Sequence, residues 1–126
     1  MEFSLDRQVL ERRLILSIVG AVDFPSLSGA IEKAEGELLK NPDFNLVING
    51  DEITRFNIPN HTCQQVAPRL FGQSRPASFY SSAPLAFGMA RVMQTYSFND
   101  SFAVFKTYEE AINFVSSGKV TSSSRS

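Results

Sequence analysis

One cysteine, Cys63, and one histidine, His61, are all that this chain of 126 residues holds of either kind. A single thiol makes no internal disulfide, and one thiol with one imidazole falls short of a four-ligand zinc site. An excess of charge is also lacking. Twelve Lys and Arg face 13 Asp and Glu, a net charge of −1, so no field draws in nucleic acid or an anionic membrane. The one adjacent basic pair, Arg12-Arg13, opens an apolar strand and reads as a solvated strand end. No apolar run approaches about 20 residues and no basic-then-apolar leader opens the chain, which sets the expectation of a cytoplasmic protein without a membrane span. Acid–base pairs, metal clusters and phosphate-cradling glycine loops are missing as well, so neither an enzyme nor a cofactor is expected.

What is present is the pattern of one α/β domain, long enough to bury roughly two-thirds of its unfolded surface. "EFSLDRQ" sets Phe3 and Leu5 against polar neighbours with the period of a half-buried strand. "RRLILSIVG" is denser in apolar and β-branched residues, as in a strand covered on both faces, and the two runs suggest a hairpin. Asp23 then caps a helix with Pro25 in its first turn, carrying Phe24, Leu27, Ile31, Ala34 and Leu38 at helical spacing and ending at Asn41-Pro42. "FNLVING" is a short third strand. After a loop comes a helix with Val66, Ala67, Leu70 and Phe71, in which Pro68 predicts a kink or break. "PASFYSS" is a fourth strand, with Ser82 capping the following helix and Pro84 in its first turn. "SFAVFK" is a fifth, and Thr107 with Glu110 forms the capping box of the last helix, which shows one face of Tyr108, Ala111, Ile112 and Val115.

The order is β-β-α-β-α-β-α-β-α. It predicts a mostly parallel, mixed five-stranded sheet with one antiparallel edge strand, covered by four helices. The domain is expected over 1–117, with 118–126 a disordered polar tail. The expected core is Leu14, Leu16, Ile18, Leu27, Ile31, Leu46, Ile48, Phe79, Val104, Ile112 and Val115.

This order, with "LVINGDEITRFNIPNH" after the third strand, resembles the STAS domain of anti-sigma factor antagonists and sulfate-transporter tails. "SAPLAFGMARVMQTY" and "FAVFKTYEEAINFV" are similar to the SpoIIAA-like family of small bacterial proteins. The resemblance implies a regulatory module that binds a protein and is released when a kinase phosphorylates a serine at the entrance of the second helix. Aligned on Ile53-Thr54, Asn57 falls at that motif's aspartate, Ile58 and Pro59 at its two serines and Asn60 at its glycine. Neither Ile58 nor Pro59 has a hydroxyl to carry the two added charges, so the switch chemistry is missing. Thr62 would serve only in a slipped register. The family's likeness to CRAL-TRIO-type lipid-binding folds implies at most an apolar ligand.

His61 and Cys63 are two residues apart, and on a helix such a pair points about 200° apart, which argues against a nucleophile and its base. The simpler assignment has Asn57 or Asn60 capping the helix, Cys63 packing and His61 solvated. The carboxyl ends of parallel strands nevertheless form crevices, and helix N-termini hold anions. Asn57, Asn60, His61, Thr62, Ser81 and Ser82 would line such a place. In the helix after the fourth strand, Leu85, Met89, Val92 and Tyr96 form the stripe expected to face the sheet, with Ala86, Ala90 and Met93 beside it. Phe87 is displaced from that stripe, one turn before Arg91, and is expected to be partly exposed. The leading expectation is a non-catalytic interaction module that docks a protein partner. The alternative is a carrier or sensor of a small apolar or anionic ligand, and a homo-oligomer is left open.

Overall fold

The computed structural model describes residues 1–59, 61–62, 76–97 and 102–116. In chain order these form β1 (Glu2–Gln8), β2 (Arg13–Asp23), α1 (Phe24–Lys40), β3 (Asn45–Asn57), β4 (Ala77–Tyr80), α2 (Pro84–Ser97), β5 (Phe102–Phe105) and α3 (Tyr108–Ser116). The five strands make one sheet in the order β1-β2-β3-β4-β5. β1 is the antiparallel edge, with Leu5 opposite Leu16, and the remaining pairs are parallel. This is the mixed α/β sheet expected from the sequence. Three helices stand among the described residues, and the expected helix around Val66–Phe71 lies outside them, as does the tail.

The hairpin between β1 and β2 closes on Arg12, whose amide donates to the Val9 carbonyl at 3.2 Å with φ +57°. Its tip exposes Val9 and Leu10. α1 begins as expected: the Ser26 amide donates to the Asp23 carboxylate at 2.9 Å. It ends at Asn41, whose amide reaches the Leu38 carbonyl and whose side chain reaches that of Glu37. Bonds from Ser26 hold the Asp23 carboxyl below its ordinary value of 3.8. A depressed folded-state pKa gives stability above the ordinary value that is lost as pH falls through the folded one. The advantage of the wild type over Asp23→Asn is therefore expected to be constant above about pH 5 and to shrink towards pH 2. Urea midpoints measured along that range check it.

The two faces of the sheet are covered differently. Leu14, Leu16, Ile18, Leu46, Ile48, Phe79, Phe102 and Val104 pack with Leu27, Ile31 and Leu38 of α1 and with Ala86, Ala90 and Met93 of α2. On the other face Ile15, Val47 and Tyr80 pack with Ala111 and Val115 of α3. Of the expected core residues all are buried except Ile112, which is half-buried. The stripe assigned to α2 is corrected: Leu85 is 56% exposed, and Ala86, Ala90 and Met93 face the sheet. Both sets recur at helical spacing, so periodicity does not choose between them. The small side chains let the helix backbone approach the strands. Tyr96 has no described side chain.

β3 is also corrected. It runs to Asn57 rather than stopping near Gly50, because β2 pairs with it as far as Asp23 opposite Asn57. The register shifts at Ser17/Val19 and Gly20/Ala21, where Gly20 has φ +95°. Only glycine adopts that conformation without strain. The capping hydroxyl of α3 is present: the Glu110 amide donates to Thr107 Oγ1 at 3.2 Å, and that hydroxyl donates to Glu110 Oε1 at 3.1 Å. Thr107→Ala is expected to lower stability by about 1 kcal/mol, and Thr107→Ser by much less, in paired denaturant titrations.

Candidate functional site

The segment from Ile53 to Thr62 is not the single loop that its polarity suggests. Residues 53–57 are strand, and Asn57, exposed at the end of β3, does not cap a helix. Ile58 is 5% exposed and belongs to the main core, whereas Pro59 is exposed. His61 and Thr62 have helical backbone, His61 exposed and Thr62 half-buried. Asn60 and Cys63 lie outside the described residues, so the expected cap at Asn60 and the packing of Cys63 do too.

The carboxyl ends of β4 and β5 hold a better-formed feature. The chain leaves β4 for α2 on one face of the sheet and leaves β5 for α3 on the other. Neighbouring connections that part in this way open a crevice between the strand ends. Here it is a cavity of about 230 Å³ lined by Ser81, Ser82, Pro84, Phe87 and Lys106.

Each wall has a local cause. Ser81 is completely buried; its hydroxyl donates to the Gly50 carbonyl at 3.0 Å and accepts from the Ala83 amide at 3.1 Å, tying β3 to the start of α2. Ser82 does not cap the helix, which corrects the expectation. Its amide and hydroxyl both donate to Asp51 Oδ1, at 2.8 and 3.3 Å. The prolonged β3 brings Asp51 there, and a carboxylate accepts a second bond that a serine cap would not have used. Phe87 is half-buried, as expected from its displaced position. Its ring lies 5.5 Å from Lys106 Nζ and 5.8 Å from Arg91 Cζ. Neither cation forms an ion pair among the described residues.

Tyr80 ends β4 on the opposite face, edge-on to Tyr108 at 5.5 Å. Burial, then the nearby Asp51 carboxylate and Tyr108, push its phenol pKa up, so it stays neutral. A second void, about 20 Å³, lies inside the main core among Ile18, Val22, Ile48, Phe79, Met93 and Phe102. It is apolar and about the size of one water, too small for a carried ligand. Among the described residues no group of three His, Cys, Asp or Glu side chains is placed to hold a metal, and no helix is long and apolar enough to cross a membrane.

No protein-family model and no curated protein matches this chain. The site therefore rests on its own geometry. That geometry brings together Ser82, Phe87 and, beside the ring, Arg91, but Asn57, His61 and Thr62 do not line the crevice. Reading the sequence missed Lys106 and gave Ser81 only a minor part. Their signal was positional: Lys106 follows β5 as Ser81 follows β4, and strand carboxyl ends are where such crevices form.

Proposed function

We propose that this chain is a non-catalytic binding module that takes a small anionic ligand in the crevice at the carboxyl ends of β4 and β5. The observation that carries this reading is the Phe87 ring flanked by two cations, Lys106 and Arg91, at the mouth of a 230 Å³ cavity. An anionic group would pair with Lys106, and an apolar body would cover Phe87. Asp51 accepts a hydrogen bond from Ser82 of the crevice wall and disfavours a ligand that carries negative charge at both ends. The cavity is smaller than the roughly 300–1,000 Å³ typical of drug-sized ligands, which supports a small one. Native mass spectrometry of protein purified from its host tests for a retained ligand. In titrations with small carboxylates and phosphate monoesters, Lys106→Ala is expected to weaken binding about tenfold or more. Phe87→Ala should weaken the members with apolar bodies most. Equal binding by wild type and Lys106→Ala would remove this reading.

The STAS resemblance supports a second reading, an interaction module whose partner docks beside the end of β3. What favours it is that Asn57, Pro59 and His61 are exposed around the buried Ile58. In that reading binding is constitutive, since Ile58 is a core side chain and Pro59 has no hydroxyl. Pro59→Ser is the variant to offer a STAS kinase, because Ile58→Ser would empty a core position. Incubation should leave the wild-type mass unchanged, and a phosphate on Thr62 would refute the register.

A further inference from the structure

The outer edge of β1 is a seven-residue ladder of backbone donors and acceptors, and among the described residues no strand pairs with it. Such an edge recruits another strand unless it is blunted by proline, a bulge or misplaced charge. β1 has no proline, and its pairing with β2 runs without a register shift from Glu2 opposite Val19 to Gln8 opposite Arg13. Its charges, Glu2, Asp6 and Arg7, select rather than forbid a partner.

We propose that β1 pairs antiparallel with β1 of a second copy of this chain, centred on Leu5. In a two-fold pairing, residues directly opposite share a face of the sheet. With Leu5 opposite Leu5, the other pairs are Ser4 with Asp6, Phe3 with Arg7 and Glu2 with Gln8. No like charges meet. Ser4 donates to a carboxylate, and the Arg7 guanidinium meets an aromatic ring. Sliding the second copy by one pleat in one direction sets Glu2 against Asp6 twice, and in the other direction sets Asp6 against Asp6. Like charges directly opposite destabilise a strand pair, so one register is favoured.

The α1 side of the edge is shaped for this partner. Phe3 and Leu5 lie on the same face as Leu16 and Ile18, and Phe3 is 36% exposed. Between β1 and the end of α1 is a groove of about 400 Å³ lined by Leu5, Arg7, Glu37 and Lys40. The proposed register brings Phe3 of the second copy beside Arg7, at the mouth of that groove, and the symmetry does the same in return. One short strand per chain gives a small interface, so the dimer is expected to be weak, with a Kd of micromolar or above.

Sedimentation of the full chain from about 10 μM to about 1 mM tests this range. The wild-type mass should rise with concentration from one chain of 14.0 kDa towards two. Ser4 is exposed, so substitutions there leave the fold intact, which circular dichroism checks. Ser4→Asp places two carboxylates opposite each other twice and should raise Kd roughly tenfold; Ser4→Lys places opposite charges there and should lower Kd several-fold. A single-chain mass at every concentration, or any pattern other than opposite responses from the two variants, overturns the proposal.

Discussion

Leu16→Ala is expected to lower the unfolding free energy by about 2–5 kcal/mol. Leu16 has no exposed surface and lies between Leu5 of β1 and a residue of the central strand, Ile48 of β3. α1 lies over the same face and buries Leu27 and Ile31 in the same cluster. Truncation removes three carbons from a site that strands on both sides and a helix above keep from collapsing, so a cavity term adds to the lost transfer energy. Denaturant titration gives the value. Leu10→Ala at the hairpin tip, where Leu10 is 93% exposed, provides the contrast and should shift stability by less than about 0.5 kcal/mol. Similar losses at both positions would contradict the placement of β2 inside the sheet, between β1 and β3.

The second large effect is expected at Gly50, where β3 passes the end of the Phe79 ring. A Cβ added there would stand 2.6 Å from Phe79 Cε2, closer still to Cζ, and 3.2 Å from Ile53 Cδ1. The ring is 5% exposed and cannot swing to solvent, and the adjoining void of about 20 Å³ gives it little room. Gly50→Ala should therefore cost about 1–3 kcal/mol through overpacking. Phe79→Leu removes the colliding atoms, so it should cost less in the Gly50→Ala background than in the wild type. Additive losses in that double-mutant cycle would show that the ring is not the cause. The Gly50 carbonyl also accepts from Ser81, so a shift of β3 reaches the crevice wall. If the crevice takes the proposed anionic ligand, its binding is expected to weaken along with stability.

Backbone chemistry and local side-chain bonds were legible in the order of residues. Asp23 and Thr107 cap α1 and α3 through bonds spanning three residues, and Asn41 ends α1 the same way. Such contacts depend on near neighbours alone, so the sequence carried them, as it did the succession of strands along the chain and most of the core. The lack of a hydroxyl at Ile58 and Pro59 was equally plain, because it needs no coordinates.

Tertiary contacts decided the rest. "FNLVING" reads as a short strand ending at Gly50, yet pairing with β2 continues β3 to Asn57. Two stripes of α2 were equivalent by period, and the sheet selected the one with two alanines. Ser82 has the chemistry of a cap but meets Asp51, 31 residues away. Lys106 and Phe87 come together because β5 lies beside β4 and the following helices part to opposite faces of the sheet. Local propensity has no access to that juxtaposition, since it depends on which face each helix buries, and the candidate site exists only through it.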